Sequence, residues 1–278
     1  MERILLIETS TALCSAALAE DGAITAYKES SAPKAHASLI AVFIQEMLAE
    51  RGLTLADCDA VCVSMGPGSY TGLRVGVSTA KGLCFGAGKP LLAVGTLDTL
   101  VAQAMEEIPG QAGNDGQTGT PGNGIPSNDT PSNGITGTDN VIPDLIGDPR
   151  FIIPMIDARR MEVYTAVFTS TPSVIPSEAE GSLRYVQITE TAPVIIDENS
   201  FAEYLEQGPV LFIGDGAGKC ADVIRHPNAH FCQCHPKASS MLAPAIVQLR
   251  AGNFQDVAYF EPFYLKEFVA TVSKKKLW

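Results

Sequence analysis

The sequence is poor in charged residues, above all in basic ones. Charged residues make up 18% of the 278 residues, with 19 Lys and Arg against 31 Asp and Glu, so the formal net charge is -12. Binding to nucleic acid depends largely on neutralising phosphates with Lys and Arg. The composition therefore opposes direct binding to RNA, and we expect any contact with RNA to run through a partner protein.

The sequence also lacks long hydrophobic runs and a disulfide pattern. No stretch approaches the ~20 apolar residues needed to span a bilayer, and the apolar run at residues 4–7 is too short for a signal peptide. The seven cysteines are odd in number, and Cys14, Cys62 and Cys84 lie within apolar segments, as reduced buried thiols do. These features predict a cytoplasmic protein.

Two series of alternating strand and helix patterns are present, which is typical of an α/β fold. In the first we predict strands at residues 4–7, 14–18, 23–29, 60–65 and 91–94, and helices at 35–51, 69–85 and 96–106. In the second we predict strands at 151–156, 163–168 and 210–213, and helices at 200–206 and 238–251. We expect a first lobe over 1–107, a disordered low-complexity insertion over 108–150, and a smaller second lobe over 151–278 with a polar insertion at 169–182.

The segment at residues 66–76, GPGSYTGLRVG, is the most informative motif. A strand, a glycine turn and a helix start can bind phosphate, but a P-loop needs Lys and then Ser or Thr where Leu73 and Arg74 stand. A dinucleotide fingerprint needs glycine in place of Thr71, and a nucleophile elbow needs glycine in place of Pro67. The motif matches none of these three sites.

Small residues recur every four positions along the helix that follows this turn, at Gly72, Gly76, Ala80 and Cys84. Glycine inside a helix costs ~1 kcal/mol relative to alanine, so the stripe predicts the close approach of another element. That element is either the protein's own sheet or a helix of a second polypeptide. The wide apolar face of the helix at 35–51 favours an interface with a partner; it consists of Leu39, Ile40, Phe43, Ile44, Met47 and Leu48.

A weaker signal concerns nucleotides. The turn at residues 8–10, between two predicted strands, resembles the phosphate hairpin of the actin-like ATPases, in which an Asp at the first position holds magnesium; here that residue is Glu8. The loop at 214–218 follows a strand and precedes a helix, where such proteins bring glycines close to adenosine. Glu8, Ser10, Gly214 and Gly216 are therefore candidate nucleotide-binding residues, and the alternative is that both segments are structural turns.

Metal-binding and catalytic patterns are weak. The Cys and His residues between 220 and 235 match no closed four-ligand zinc spacing. His36 has no second histidine three or four residues away, so it is expected to cap or pack at the helix start. No acid and base pair and no Ser, His and Asp set can be assembled from spacing, and residues 157–160 are interpreted as a charged turn.

Five segments together resemble the TsaB (YeaZ) family, namely residues 4–11, 66–76, 156–160, 214–217 and 261–266. The resemblance covers nearly the whole chain outside 108–148 and 169–182. It implies an α/β fold of the actin-like ATPase class (ASKHA, ribonuclease H-like), with two lobes of which the second is reduced. The chain departs from the family at Glu8, where Asp is usual, and at Ala37 and Ser38, where Ser and Glu are common.

The resemblance also implies a function. It indicates a non-catalytic dimerisation subunit that binds the catalytic paralog TsaD and, with the ATPase TsaE, supports synthesis of N6-threonylcarbamoyladenosine (t6A) in tRNA. No catalytic residue, metal or cofactor of its own is implied; ATP acts at the level of the complex, tRNA is contacted only indirectly, and a homodimer forms without the partner. The alternative is an enzyme of the same fold, either a small ATP-dependent kinase or a metallopeptidase.

The predicted partner surface lies on two helices that the resemblance places in a bundle with the partner. Its residues are His36, Leu39, Ile40, Phe43, Met47, Gly72, Leu73, Gly76 and Ala80.

Overall fold

A computed structural model describes residues 1–32, 35–107, 149–171 and 185–265. The insertion predicted over 108–150 lies outside the described residues except for its last two, and so does most of the insertion predicted at 169–182. The first residues of that second insertion are described, and they belong to a short strand rather than to a polar loop.

The first lobe is built on a five-stranded sheet. Its strands are β1 (Arg3–Glu8), β2 (Cys14–Glu20), β3 (Ala23–Ser30), β4 (Ala60–Gly66) and β5 (Leu91–Gly95). Their order is β3-β2-β1-β4-β5, with β1 antiparallel to β2 and parallel to β4. The run Ile4 to Ile7 is apolar on both faces and fully buried, which explains why β1 takes the centre of the sheet. All five strands predicted for this lobe are confirmed within two residues.

Three helices belong to this part of the chain, namely α1 (Ala35–Glu50), α2 (Tyr70–Ala87) and α3 (Thr96–Glu107). The Ser69 hydroxyl caps α2 by accepting a hydrogen bond from Gly72 N, as predicted, and Gly88 ends the helix with a left-handed φ of 63°. Between α1 and β4 lies a short 3-10 turn at Leu55–Asp57. The three predicted helices are confirmed.

The second sheet repeats the topology of the first. Its strands are β6 (Phe151–Asp157), β7 (Glu162–Thr165), β8 (Phe168–Ser170), β9 (Tyr185–Gln187), β10 (Ala192–Ile195), β11 (Val210–Ile213) and β12 (Ala229–Cys232). The main path runs β10-β7-β6-β11-β12, with β7 antiparallel to β6 and β11 parallel to it. The same strand order in both sheets confirms the two-lobed actin-like fold.

One predicted strand of the second lobe is divided in two. Residues 163–168 form the end of β7 and the start of β8, which pair with different parts of β6: Thr165 lies opposite Met155, and Phe168 opposite Ile152. The helices of this lobe are α4 (Ala202–Leu205) and α5 (Ala217–Ala221). Strands β9, β10 and β12 were not predicted, because they are short and β9 and β10 are largely exposed.

The end of the chain belongs to the first lobe, which corrects the predicted boundary of 151–278 for the second. After a 3-10 turn at Ser239–Met241, helix α6 (Leu242–Ala251) packs on the first sheet, where Met241 and Ala245 join a core with Leu6 and Leu92. Further on, Gln255 N donates to Leu91 O at 2.8 Å. The sequence could not show this return, because an amphipathic helix does not specify which of two sheets it covers.

Helix α3 also departs from the predicted division. It was assigned to the first lobe, but its apolar side packs into the core of the second sheet, where Leu100 and Ala104 lie with Ile152 and Leu211. The helix therefore joins the two lobes.

Candidate functional site

The turn at residues 8–11 lies beneath the glycine turn that precedes α2. Glu8, Thr9 and Ser10 have no exposed surface. Ser69 N donates to Ser10 O at 2.6 Å, and a Cβ added at Gly68 would lie less than 3.0 Å from Ser10 O. The chain itself therefore occupies the space above this turn, which contains the candidate nucleotide-binding residues Glu8 and Ser10.

The stripe of small residues on α2 faces the same turn. A Cβ at Gly72 would lie less than 3.0 Å from Thr9 O, and a Cβ at Gly76 would lie equally close to Thr9 Oγ1. The Thr9 hydroxyl in turn donates to Gly72 O at 2.9 Å. The close approach predicted from the glycines exists, but the neighbouring element belongs to this chain.

This packing corrects part of the predicted partner surface. Gly72, Leu73, Gly76 and Ala80 are buried within this chain, so their side of α2 is not available to a second polypeptide. The same holds on α1 for Ile40 and Met47, which are buried in the core of the first lobe.

The remaining predicted interface residues are partly covered. Leu39 and Phe43 are half-buried and pack against the core of the first lobe. His36 Nε2 lies 2.8 Å from Thr11 O, so this histidine ties the start of α1 to the turn at residues 8–11. The expectation that His36 packs at the helix start is confirmed.

The carboxyl group of Glu8 has an unusual environment. Burial raises the pKa of Glu8 to about 7, although hydrogen bonds from Ser10 oppose the shift. The backbone N–H of Ser10 donates to Glu8 Oε1 at 2.6 Å. Glu8 therefore takes part in the internal structure of the turn, and its role in nucleotide binding stays a prediction.

The loop at residues 214–218 packs on strand β6. Gly214 has a φ of 132°, and a Cβ there would lie less than 3.0 Å from Met155 O; Gly216 N donates to Met155 O at 2.9 Å. This contact accounts for both glycines as parts of a structural turn, and their role as nucleotide-binding residues stays a prediction.

The turn between β6 and β7 is held by polar contacts to the same loop. Asp157 N donates to Asp215 Oδ1 at 2.9 Å, and Lys219 Nζ contacts Asp157 Oδ1 and donates to Glu162 O. Burial raises the pKa of Asp215, against the opposing effect of the bond from Asp157 N. The prediction that residues 157–160 form a charged turn is confirmed.

A second, exposed side of α1 and α2 emerges from the structure. On α2 it follows a spacing of four, three, four and three residues, which is the spacing of a coiled-coil seam. We call it the outer face, and its residues are Ala37, Ala41, Thr71, Val75, Ser78, Gly82, Phe85 and Gly86. The prediction from sequence did not include this set, because it was based on Gly72 and Gly76, which lie on the buried side of the helix.

The outer face has two features that its own chain does not explain. The Phe85 side chain is 86% exposed, and nothing lies within 4 Å of a Cβ added at Gly82 or Gly86. Near the start of the helices, Ala37 lines a shallow depression with Thr71 and Val75. The face thus combines small residues, open space and one large apolar side chain.

Two features are absent from residues 1–32, 35–107, 149–171 and 185–265, namely a metal-binding cluster and a membrane-spanning helix. No group of three or more His, Cys, Asp or Glu side chains in this part of the chain could hold a metal ion. None of the helices described there combines the length and the hydropathy required to cross a bilayer.

Comparison with known sequences gives matches over part of the chain. The family model described as tRNA N6-adenosine threonylcarbamoyltransferase (TsaD) matches residues 29–114. The tRNA threonylcarbamoyladenosine biosynthesis protein TsaB of Escherichia coli (strain K12) is 41% identical over 105 residues, 38% of this chain and 45% of that protein. Its namesake from Haemophilus influenzae is 43% identical over 105 residues, 38% of this chain and 44% of that protein. The match thus spans a little under half the length of these two curated relatives.

Comparison with solved structures extends the likeness to both lobes. A crystal structure from Pseudomonas aeruginosa, described as an uncharacterized protein with similarity to peptidase YEAZ, has a TM-score of 0.70 at 22% identity and covers 96% of this chain and 100% of that chain. YeaZ from the same organism has a TM-score of 0.70 at 21% identity, over 95% of this chain and 100% of that chain. These structures show the shared fold, and the sequence matches show that part of the chain is similar to the TsaB proteins of E. coli and H. influenzae.

Proposed function

We propose that this chain is a non-catalytic dimerisation subunit of the cytoplasmic machinery that makes threonylcarbamoyladenosine in tRNA. Its relatives from E. coli and H. influenzae are named as biosynthesis proteins of this nucleoside. In this proposal the outer face of α1 and α2 binds a TsaD-like catalytic paralog, a TsaE-like ATPase joins the complex, and tRNA is contacted only through the partners.

The observation that carries the proposal is the open space beside Gly82 and Gly86. Each helical glycine costs ~1 kcal/mol relative to alanine, and on the buried side of α2 close packing against Thr9 compensates for this cost. No described part of the chain approaches Gly82 or Gly86. A helix of another polypeptide that packs closely there would supply the missing compensation.

Phe85 supports the same conclusion. Its side chain is 86% exposed and stands beside Gly82 and Gly86. Burying a phenylalanine contributes about 1.5–3 kcal/mol, and aromatic side chains surrounded by small residues often dominate the binding energy of an interface. We therefore expect Phe85 to be the main anchor of the partner.

The buried turn at residues 8–10 favours a binding subunit over the alternative of a kinase or metallopeptidase. Glu8 and Ser10 lie beneath Gly68 and Ser69, so a nucleotide would reach them only after this turn moved. We propose that the chain holds no cofactor of its own and that ATP acts at the level of the complex.

A homodimer is a second candidate state that uses the same face. The seam on α2 can pack against a copy of itself, because its small residues allow two helices to approach each other closely. We propose that this homodimer forms when the catalytic paralog is absent and that the paralog replaces one copy.

Depletion of the protein tests the proposed function. We expect the threonylcarbamoyladenosine content of tRNA to fall, as measured by mass spectrometry of tRNA nucleosides, and to return when the wild-type chain is supplied. Gly82→Leu should fail to restore it, because the new side chain blocks the outer face. The control is Ala202→Leu, which places the same new side chain at an exposed position on α4. An unchanged nucleoside content after depletion would refute the proposed function.

A further inference from the structure

An open groove runs along α2. Its volume is about 630 Å³, and the segment at residues 260–264 forms its other wall. Aromatic rings shape its mouth, since the rings of Tyr70 and Tyr264 lie 4.8 Å apart. Phe263 N donates to Met65 O at 2.7 Å, so the second wall is tied to the end of β4.

Two cations in this groove have no acidic partner among the described residues. Arg74 Nη1 donates to the Tyr70 hydroxyl at 3.2 Å, and its guanidinium lies 5.5 Å from the centre of the Tyr70 ring. Lys81 Nζ donates to Ala258 O and Phe260 O at 3.1 and 2.9 Å. None of the ion pairs within the described part of the chain includes Arg74 or Lys81.

The local charge contrasts with the charge of the whole chain. The protein has a formal net charge of -12, yet the α2 side of the groove presents two positive charges seven residues apart, which is about 10 Å along a helix. The carbonyl groups bound to Lys81 carry no net charge, and Glu261, which also lines the groove, belongs to none of the ion pairs in the described part of the chain, so the lining keeps one net positive charge. An acidic group from another molecule would therefore be attracted to this groove.

The groove adjoins the outer face. Tyr70, Arg74 and Ser78 line both the groove and the shallow depression that contains Ala37 and Thr71. A polypeptide that packs on the outer face is therefore within reach of Arg74 without any movement of α2.

We propose that Arg74 determines partner specificity by receiving a carboxylate from an acidic segment of the partner that lies in this groove. The inference rests on the proposed function and names the chemistry of the partner's contact. Arg is suited to this role because its planar guanidinium binds a carboxylate through two parallel hydrogen bonds, and the Tyr70 ring holds it in position. A segment that presents one carboxylate to Arg74 fits better than a nucleic acid, because Glu261 and the net charge of -12 repel every negative group, and a nucleic acid carries one at each phosphate.

The affinity of the purified chain for its TsaD-like paralog, measured by calorimetry at several salt concentrations, tests this inference. Arg74→Glu should weaken the complex by about 30-fold or more, because like charges then oppose each other. Arg74→Lys should retain most of the affinity, and Arg74→Gln should flatten the dependence on salt. The matched control is Arg225→Glu, which changes the net charge equally at an exposed position after α5 and should alter the affinity by less than about 2-fold.

A chemical measurement gives a second readout. A carbodiimide joins an amine to a neighbouring carboxylate, so Arg74→Lys should yield a cross-link between position 74 and an Asp or Glu of the paralog, identified by mass spectrometry. Since position 74 is exposed, these variants should keep the melting temperature of the wild type.

The outcomes separate the two proposals. If the wild-type chain binds the paralog and Arg74→Glu binds as tightly, the role of Arg74 is refuted and the proposed function stands. If Arg74→Glu keeps its affinity for the paralog while the complex loses affinity for tRNA, the groove binds nucleic acid and the inference is likewise refuted. If the wild-type chain does not bind the paralog at all, the proposed function fails and this inference fails with it.

Discussion

Helix α2 carries two pairs of glycines, one on its buried side and one on its exposed side. Gly72 and Gly76 pack against Thr9 so closely that neither position has room for a Cβ. A Cβ added at Gly82 or Gly86 would meet no atom within 4 Å outside the helix's own neighbouring backbone. Glycines thus occur in two different surroundings along one helix. The first pair packs against another part of this chain, and the second pair does not.

The comparison shows how an interface can be separated from a core when both use small residues. The buried glycines are explained by close packing against Thr9 of the same chain. The exposed glycines beside Phe85 have no such neighbour among the described residues. The four predictions that follow test this difference, from the largest expected effect to the smallest.

Gly72→Ala should be the most destabilising change. The added Cβ meets the backbone oxygen of Thr9, which cannot rotate away as a flexible side chain could, so we expect a loss of about 3 kcal/mol in the free energy of unfolding. Chemical denaturation measures it. Normal stability of this variant would mean that the buried side of α2 is not closely packed.

Glu8→Gln should change the dependence of stability on pH. The folded-state pKa of about 7 lies above the ordinary value of 4.5, so between these two values the unfolded chain loses its proton first. The stability contributed by protonated Glu8 is therefore full below pH 4.5, falls as the pH rises, and is lost once the pH has passed 7.

The expected magnitude follows from the size of this shift. At pH 8 the loss amounts to at most about 3 kcal/mol, since one pKa unit corresponds to about 1.4 kcal/mol. Glu8→Gln should gain stability over the wild type at pH 8 and less at pH 5, as measured by urea denaturation. Glu206→Gln, at an exposed carboxylate on the second lobe, is the control; equal pH slopes for wild type and Glu8→Gln would contradict the prediction.

Phe85→Asp should weaken binding to the TsaD-like paralog by about 30-fold, because a buried aromatic anchor contributes about 2 kcal/mol or more. Its effect on the folding of the isolated chain should be small, since Phe85 is 86% exposed. Val247→Asp places the same charge on an exposed apolar position of α6 and should leave the affinity unchanged. Equal affinities for both variants would remove Phe85 from the interface.

Gly82→Ala should have the smallest effect on folding and the opposite sign to Gly72→Ala. It should stabilise the isolated chain by about 0.5–1 kcal/mol, because alanine favours the helix and nothing obstructs its Cβ. The same change should weaken the complex with the paralog. A variant that gains stability and also binds more tightly would show that no helix packs closely at position 82.

Much of the fold could be predicted from the sequence. The run at residues 4–7, the N-cap at Ser69 and the apolar face of α1 are local patterns, and each corresponds to an element of the structure. The lobe boundary could not be predicted, because α6 is covered by contacts with Leu6 and Leu92, more than 140 residues away in the chain. The interface residues predicted on α2 are buried within this chain, and Phe85, which the prediction did not include, is exposed.

The sequence by itself determined the strands, the helices and the need for close packing along α2, since these depend on the order and size of neighbouring side chains. Only the tertiary structure decided which neighbour meets each glycine, because that depends on how β1 places Thr9 beneath the helix. The same packing left Gly82, Phe85 and Gly86 uncovered. A pattern of small residues in a helix predicts that another element packs closely against it, and the tertiary structure determines which element that is.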